Sequence, residues 1–439
     1  MIQENGTEMN LSLLLTGNEL MAGEITDTNS VFMARELTEA GLAVNRKMVV
    51  GDSLSSLKEA LTLLSRTSDI VIVNGGLGST VDDLTAEVAA FVSGTELVEN
   101  VQAIEHIEKR LDRKFLMEKS PFFNQIRKQA LIPHSAELLE NPVGLALGFR
   151  MKINRAICYF TPGVPRELKE MFQQSILPDI CRLYNPNTSK KTAHLNIMGI
   201  GESQVQQMIT QNITEEALQG IELGFRAELC CVELKVSIND SKNESALRDV
   251  VSSVKGFLAE YIFSETESLP ESVIKLLRQQ NKRVALAESC TGGLIASQIT
   301  AVPGASDVLE AGIVSYSNQS KTRLLGVSEG ALESFGAVSE EVVIAMVEGI
   351  LEKTGADIAL AVTGIAGPTG GSDEKPVGTV YIGWGSTGDI RTRLMQVKRE
   401  RLIFQQLVSA SALDLLRRYL LGLGSDGIYY FDELSRKRL

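Results

Sequence analysis

The chain has 439 residues, more than one typical hydrophobic core supports, so two or three domains are expected. Its 44% hydrophobic and 22% charged residues are ordinary for a globular protein, and its net charge of -12 disfavours broad attraction to nucleic acid or to acidic membranes. Apolar runs stay well short of the roughly 20 residues that span a bilayer, and the first residues lack the pattern of a secretion signal, so we expect a cytoplasmic protein that acts on small molecules.

Histidine and cysteine usage restricts the chemistry further. The five cysteines include no C-x-x-C pair, which disfavours a zinc finger or a disulfide framework. The three histidines are His106, His134 and His194. Any catalysis in the C-terminal half must therefore use a base other than histidine.

Taken in chain order, the patterns predict three segments. From Leu11, apolar runs such as LSLLLTG and SDIVIVNGG alternate with helical spacings, which predicts a doubly wound α/β domain over residues 9–185. After the polar stretch YNPNTSKKT, a helix over 203–213, the strand CCVELKVSI and another helix predict a small α+β module over 188–264. After SETESLP, the strands RVALAES, GIVSYS, IALAVTG and VGTVYIGW and a long helix ending near Leu423 predict a second α/β domain over 268–424. The tail SDGIYYFDELSRKRL has no pattern that we can assign.

The stretch SDIVIVNGGLGSTVDDLTAEVAAF runs from a strand through a glycine-rich loop into a helix. Glycines let backbone N–H groups approach a ligand, and a helix N-terminus attracts anions, so the loop is a candidate phosphate site. A capping box formed by Thr80 and Asp83 explains the same spacing structurally. Asp82, Asp83 and Glu87 would repel phosphate unless a divalent metal ion bridges them, so these three are the candidate metal ligands. Asp52 ends an earlier strand and is expected at the same sheet edge.

A second constellation begins in LAESCTGGLIASQI. It places Ser289, Cys290 and Thr291 at the carboxyl end of a strand, where α/β sheets bind ligands. The glycines Gly292 and Gly293 let the amides of the next helix face an anion. The structural alternative is a Ser or Thr cap with glycines that only permit close packing.

Later stretches add candidate catalytic residues. PGASDVLEAGIVSYSNQSKTRLLGV supplies Ser306, Tyr316 and Lys321, and IALAVTG supplies Thr363 at another strand end. Without histidine, a serine nucleophile needs a base such as a lysine whose pKa is lowered by burial or by neighbouring charge, and Lys321 is the candidate. A solvated helix lysine is the alternative reading of that residue. Cys290, at the start of a helix, is an alternative nucleophile.

The N-terminal motifs TGNELMAGEITDTNS, VVGDS, GGLGSTVDDLT, NPVGLALGF and TPGVPRE resemble the N-terminal domain of the competence/damage-inducible protein A (CinA) family. The resemblance implies a molybdopterin-binding-like, three-layer α/β/α domain and, for some members, a metal-dependent pyrophosphatase that acts on ADP-ribose. Asn18 stands where the family has a carboxylate, and Ser79 where proline is common. The site residues that the resemblance implies are Asp52, Gly75, Gly76, Gly78, Thr80 and Asp83.

The middle segment resembles the KH-like connecting domain of the same family. It lacks the basic GXXG loop that clamps nucleic acid, so we expect a spacer or a dimerisation element and no direct binding of nucleic acid.

The C-terminal motifs AESCTGG, PGAS, VSYSNQSKTRLLGV, GAVSE and TGIAGPTGGSDEKPVGTVYI resemble the CinA C-terminal domain. This is an α/β amidohydrolase that converts nicotinamide mononucleotide to nicotinate mononucleotide and ammonia. The resemblance implies that Ser306 and Lys321 are nucleophile and base, supported by Ser289, Tyr316 and Thr363. Which of Ser289 and Ser306 attacks the amide stays open.

Substrate phosphate is expected either at the helix start after Thr291 or in the loop 364–371. Gln405 and Gln406 stand where the family has arginines. Loss of an arginine there predicts weaker phosphate binding and a higher KM. The expected substrate-binding residues are Thr291, Gly292, Gly293, Gly364, Gly367 and Arg401.

The resemblance therefore implies a nicotinamide-nucleotide amidase that needs no cofactor, joined to an N-terminal domain for which it implies, as in some members, a metal-dependent ADP-ribose pyrophosphatase. The resemblance and the number of modules imply a homodimer. In one alternative only the N-terminal domain is active and the C-terminal domain is degenerate. In the other, the chain is a non-catalytic partner protein in DNA uptake or repair.

Overall fold

The computed structural model of the chain describes residues 9–111, 125–184, 191–424 and 427–436. The chain divides into two compact units, residues 1–188 and 189–439. None of the helices in the described ranges combines the length and the apolar composition that crossing a membrane requires.

The strands of the first unit are β1 (Leu11–Thr16), β2 (Val44–Val50), β3 (Ile70–Asn74), β4 (Leu97–Glu99), β5 (Leu131–Pro133), β6 (Glu137–Leu139), β7 (Gly148–Ile153) and β8 (Ala156–Thr161). Its helices are α1 (Asn18–Met21), α2 (Asn29–Glu39), α3 (Leu54–Thr67), α4 (Thr85–Ser93), α5 (Val101–Arg110), α6 (Pro165–Met171) and α7 (Leu177–Tyr184). A 3₁₀ turn lies at Arg127–Ala130, and a π-helical turn at Phe172–Ile176 joins α6 to α7.

A six-stranded sheet forms the centre of the first unit. Its spatial order is β2-β1-β3-β8-β7-β6, in which β2, β1, β3 and β8 are parallel. Strand β7 is antiparallel to β8, and β6 is antiparallel to β7. The central strands β1 and β3 are buried along their whole length and mostly apolar because helices cover both faces. Leu14 packs with Leu57 of α3 on one face, and Leu13 packs with Met33 of α2 on the other. The arrangement is the expected three-layer α/β/α fold.

The strands of the second unit are β9 (Lys191–Met198), β10 (Ile221–Ala227), β11 (Cys231–Ile238), β12 (Ile262–Ser264), β13 (Val284–Glu288), β14 (Leu309–Val314), β15 (Ile358–Gly364), β16 (Thr379–Ser386) and β17 (Asp389–Gln396). Its helices are α8 (Glu202–Asn212), α9 (Glu244–Phe257), α10 (Leu269–Gln279), α11 (Leu294–Thr300), α12 (Asn318–Leu325), α13 (Glu329–Phe335), α14 (Glu340–Thr354), α15 (Arg401–Leu420) and α16 (Glu433–Arg436). The 3₁₀ turns lie at Ser241–Asn243 and Ala305–Asp307.

The first part of the second unit is an antiparallel four-stranded sheet in the order β10-β11-β9-β12. Helices α8 and α9 cover one of its faces, where Val205 and Val250 share a core with Leu195 and Val236 of the sheet. This is the α+β arrangement that the sequence predicts for the middle segment.

The rest of the second unit is built on a five-stranded sheet in the order β14-β13-β15-β16-β17. Strands β14, β13 and β15 are parallel, β16 is antiparallel to β15, and β17 is antiparallel to β16. Leu286 faces a core that contains Leu277 of α10 and Leu413 of α15, whereas Ala287 faces Val347 of α14. Helices on both faces leave the carboxyl ends of the parallel strands as the place for a site.

The strands that the sequence does not predict include β10 and β17, and the C-terminal tail is also unassigned. Strands β10 and β17 lie at sheet edges, where polar residues interrupt the apolar pattern. In the tail, Tyr429 and Phe431 are buried in the core of the five-stranded sheet. The Tyr429 hydroxyl donates to Asp414 Oδ2 of α15 at 2.8 Å. The tail therefore belongs to the folded second unit.

Candidate active site

The three parallel strands of the five-stranded sheet have their carboxyl ends on the same side of the sheet. Residues that follow these ends line a pocket of about 190 Å³. Ser289 follows β13, Tyr316 follows β14, and Gly364 ends β15. The two glycine-containing loops therefore face one cleft, as the sequence predicts. The residues that line the pocket are Ser289, Cys290, Tyr316, Lys321, Ala337, Val338, Thr363, Gly364, Ala366 and Arg401.

Helix α12 carries Lys321 into this pocket. The Ser317 side chain caps the helix by accepting a hydrogen bond from Ser320 N at 3.1 Å. One turn later, Lys321 is buried, with 1% of its surface exposed. Its Nζ donates to Ser289 Oγ at 2.8 Å and to the Ser315 carbonyl oxygen at 2.7 Å. The structure thus brings the predicted base into contact with Ser289.

The surroundings of Lys321 make its ammonium group easier to deprotonate. Burial lowers the pKa of Lys321 from 10.5 to about 8, because desolvation penalises the charged amine. The same burial raises the pKa of the adjacent Cys290 thiol to about 12, so the cysteine stays protonated. The pocket therefore favours a hydroxyl nucleophile with an amine base over a thiolate.

Ser306 lies near the amino end of β14, whereas the pocket lies at the carboxyl ends of the parallel strands. It is exposed in the 3₁₀ turn that precedes β14, where its neighbour Asp307 pairs with Arg278 at 3.1 Å. Lys321 follows the carboxyl end of the same strand. Six residues of strand, about 20 Å at 3.3 Å each, separate the two ends. This corrects the expected pairing of Ser306 with Lys321, and the serine beside the lysine is Ser289.

Arg401, the first residue of α15, bridges the mouth of the pocket. Its Nη2 donates to the Tyr316 hydroxyl at 2.5 Å, and its Nη1 donates to the Gly367 carbonyl oxygen at 2.9 Å. One turn further along α15, Gln405 Nε2 donates to the Cys290 carbonyl oxygen at 2.9 Å. The sequence marks Gln405 only as a departure from the family, whereas in the structure it ties α15 to the turn that contains Ser289 and Cys290.

The predicted residues Thr363 and Gly364 line the pocket, whereas the predicted Thr291 does not. The Thr363 hydroxyl donates its one proton to the Ala337 carbonyl oxygen at 2.7 Å, so toward the pocket it can only accept. A Cβ at Gly364 would lie 2.9 Å from the Thr379 carbonyl oxygen, which leaves room for glycine alone. The Thr291 hydroxyl is buried and finds no hydrogen-bond partner among the described residues.

The helix start after Gly292 is already occupied by a side chain of the protein. Glu288, at the end of β13, is 1% exposed. Its carboxylate accepts hydrogen bonds from the N–H groups of Gly293 at 3.0 Å, Ile295 at 3.2 Å and Ala296 at 2.8 Å. A substrate phosphate cannot take the same amides. This corrects one of the two expected phosphate positions and leaves the loop 364–371, whose Gly367 holds Arg401.

In the first unit, the carboxyl ends of β1, β2 and β3 form the second candidate site. Asp52 accepts hydrogen bonds from Thr16 Oγ1 at 2.5 Å and from Asn18 N at 2.8 Å, and Asn18 Oδ1 accepts from Asp52 N at 3.1 Å. The asparagine therefore orders the Asp52 turn. Gly75 and Gly76 follow β3 with φ of +111° and +67°, which glycine adopts readily.

The loop that follows closes on Asp83. Thr80 N donates to Asp83 Oδ2 at 2.8 Å, and Thr80 Oγ1 lies 2.6 Å from the same oxygen. Helix α4 begins only at Thr85, so this motif closes a turn and does not cap the helix. The pocket at this loop is lined by Gly76, Leu77, Gly78, Asp83, Ala86, Glu87, Leu97, Lys128, Gln129, Leu131, Ile132, Leu147 and Phe149.

The predicted metal ligands Asp82, Asp83 and Glu87 do not form a metal centre. Across the described ranges, no three His, Cys, Asp or Glu side chains group closely enough to hold a metal ion. The Thr80 hydroxyl donates to Asp82, and this bond lowers the pKa of Asp82. Because both aspartates turn toward Thr80 while Glu87 lies further along on α4, the three carboxylates do not converge. The described residues thus do not fit a protein-held divalent ion, which corrects the expected ligand set.

Two known families match separate parts of the chain. Residues 266–420 match the family described as the CinA C-terminal domain, and residues 12–182 match the family described as a probable molybdopterin binding domain. A CinA-like protein of Colwellia psychrerythraea is 42% identical over 413 residues, 93% of this chain and 94% of the relative. A CinA-like protein of Citrifermentans bemidjiense is 40% identical over 414 residues, 94% of this chain and 98% of the relative.

Solved structures of similar proteins cover single domains. The competence/damage inducible protein CihA from Agrobacterium tumefaciens is 39% identical, and the match covers 35% of this chain and 93% of that protein with a TM-score of 0.34. The protein CinA with unknown function from Thermoplasma acidophilum is 33% identical, with 40% and 99% covered and a TM-score of 0.36. The relatives that match almost the whole length decide the assignment, and this chain belongs to the CinA family.

Proposed function

We propose that the C-terminal pocket hydrolyses the carboxamide of nicotinamide mononucleotide to nicotinate mononucleotide and ammonia. The observation that carries this proposal is the 2.8 Å contact between Lys321 Nζ and Ser289 Oγ inside a pocket. An amine with its pKa lowered to about 8 is an effective base for a serine hydroxyl near neutral pH. The likeness to the CinA C-terminal domain supports nicotinamide mononucleotide as the amide.

In the first half of the reaction, the neutral Lys321 amine accepts the Ser289 Oγ proton while Oγ bonds to the carboxamide carbon. An N–H of the same amine keeps donating to the Ser315 carbonyl oxygen, which orients the lone pair toward Oγ. The carbon–nitrogen bond then breaks, the Lys321 ammonium gives its proton to the departing nitrogen, and ammonia leaves. An ester between Ser289 and the nicotinoyl group remains.

Water completes the cycle. Lys321 takes a proton from a water molecule as the water oxygen bonds to the ester carbon. The bond between that carbon and Ser289 Oγ then breaks, and Lys321 returns the proton to Oγ. The nicotinate product leaves as the acid and ionises in solution.

Negative charge develops on the carboxamide oxygen and needs a hydrogen-bond donor. After a nucleophile on a strand-to-helix turn, the next backbone N–H is the usual donor, which here is that of Cys290. Thr363 does not serve, because its proton is bonded to the Ala337 carbonyl oxygen. We therefore assign Thr363 to the wall of the pocket.

The charge of the pocket favours an anionic substrate. Its charged lining residues are Lys321 and Arg401, and the lining contains no carboxylate. With Lys321 engaged at Ser289, Arg401 is the group that can bind the phosphate of the nucleotide by charge-assisted hydrogen bonds. The carboxamide would thus enter first, with the phosphate held at the mouth.

The test is ammonia release from nicotinamide mononucleotide by the full chain, with and without a metal chelator. We expect turnover that the chelator does not change, loss of turnover in Ser289→Ala, and near-normal turnover in the matched control Ser306→Ala. Full activity of Ser289→Ala would exclude this serine as nucleophile. Absence of ammonia from the wild-type chain would favour a degenerate C-terminal domain or a non-catalytic partner protein.

A second candidate function is suggested by the glycine loop of the first unit. Gly76, Gly78 and Lys128 line a pocket beside the Asp83 turn, and the family likeness supports ADP-ribose as its ligand. Because the described residues contain no group of three His, Cys, Asp or Glu side chains that could hold a metal ion, we derive no hydrolytic step there. Incubation with ADP-ribose, followed by chromatographic detection of AMP, distinguishes binding from pyrophosphatase activity.

A further inference from the structure

We propose that Glu288 is a positioning residue that holds both Ser289 and Lys321 in register, an inference that rests on the proposed amidase function. In the sequence, Glu288 is the last residue of an otherwise apolar strand, and no motif assigns it a function. In the structure it is the buried junction between the two halves of the catalytic pair.

The side chain of Glu288 fixes the serine. Its carboxylate accepts three backbone hydrogen bonds from the first turn of α11, at Gly293, Ile295 and Ala296. The residues between Glu288 and Gly293 form the tight turn that carries Ser289, so this turn is closed at both ends. A shift of the carboxylate would therefore move the nucleophile.

The main chain of Glu288 fixes the lysine. Its carbonyl oxygen accepts a hydrogen bond from Ser315 N at 2.8 Å. The Ser315 carbonyl oxygen in turn accepts from Lys321 Nζ at 2.7 Å. Two hydrogen bonds thus link Glu288 to the base, while its side chain orders the nucleophile.

A carboxylate suits this position better than an amide. Three N–H groups at the positive end of a helix compensate a buried negative charge, which would otherwise be strongly unfavourable. The glutamine side chain has the same shape but turns an NH₂ group toward one or more of these N–H groups. Glu288→Gln therefore keeps the volume and loses part of the anchor.

The experiment compares Glu288→Gln and Glu288→Asp with Asp414→Asn. Asp414 is another buried carboxylate of the same unit, bonded to Tyr429 and Arg417, and it lies 13 residues along α15 from Arg401, about 20 Å at 1.5 Å per residue. Each full-length variant is assayed for kcat and KM with nicotinamide mononucleotide. The labelling rate of Ser289 by a fluorophosphonate, which reports the nucleophile without the natural substrate, is measured in parallel.

We expect both Glu288 variants to lower kcat and the labelling rate by about 10²-fold with little change in KM, as a displacement near 1 Å of a reacting group does. Asp414→Asn should keep wild-type rates even where it lowers the melting temperature as much. Equal rates in Glu288→Gln and wild type, or equal losses in Asp414→Asn, would overturn the proposal. If Glu288→Gln does not fold, Glu288→Asp decides by the same criteria. Labelling without ammonia release would refute the substrate and would still test Glu288.

Discussion

Replacing Lys321 with methionine removes a buried amine while keeping an unbranched side chain of similar length. Burial lowers the pKa of Lys321 from 10.5 to about 8, and each pKa unit corresponds to about 1.4 kcal/mol. Keeping this amine buried and protonated therefore costs about 3 kcal/mol of folding free energy at neutral pH. Methionine removes that cost but leaves the Ser315 carbonyl oxygen without its donor, a loss of about 1–3 kcal/mol.

Only the first of these two effects depends on pH, which gives the prediction its sign. Below pH 8 the lysine is protonated in the folded and unfolded states, and the full cost is present. Between pH 8 and 10.5 the unfolded state binds more protons, so the stability contributed by this group rises with pH. The advantage of Lys321→Met over wild type should therefore shrink by about 2–3 kcal/mol between pH 7 and pH 10.

The assay is urea unfolding followed by the fluorescence of Trp384, the single tryptophan, which is buried in the five-stranded sheet. Other titrating groups are common to both proteins and cancel in the difference. Parallel stability curves over this pH range would refute a lowered pKa for Lys321. In the same series, kcat/KM of the wild type should rise with pH through about 8, and Lys321→Met should release no ammonia.

Two further predictions concern regions outside the C-terminal pocket. Asp83→Ala should open the Thr80 turn and weaken ADP-ribose binding by the first unit, measured by calorimetry, while leaving ammonia release unchanged; a parallel fall in ammonia release would show that the two sites are not independent. Tyr429→Phe should destabilise the second unit by about 1–3 kcal/mol, because it leaves a buried Asp414 oxygen unpaired. The matched control is Tyr430→Phe, whose hydroxyl bonds an exposed carbonyl at Leu229, and equal losses in the two variants would contradict the importance of the buried network.

Much of the architecture follows from local pattern. The apolar runs of β1, β3, β13 and β15 predict central strands because a strand covered by helices on both faces consists mostly of apolar residues. The absence of histidine from the C-terminal half predicts an amine base, and the structure buries Lys321 accordingly. Edge strands such as β17 escaped prediction, since a strand with one free side tolerates polar residues.

Only the tertiary structure shows which of the two serines lies beside Lys321. Ser289 and Ser306 both lie next to strands of one sheet, and local pattern treats them alike. Ser289 follows the carboxyl end of β13, while Ser306 precedes the amino end of β14. Because these two strands are parallel, the two serines lie at opposite ends of the strands. The same packing turns Glu288 from an apparent strand residue into the anchor of a helix start.

The sequence by itself determined which residue types are available for chemistry and which segments become buried strands, because both depend on composition and short-range periodicity. The tertiary structure alone decided which of those side chains meet. Hydrogen bonds such as that between Lys321 and Ser289 join residues 32 positions apart, and their formation depends on strand order, direction and helix packing. These are properties of the assembled sheet, which no short stretch of the chain contains.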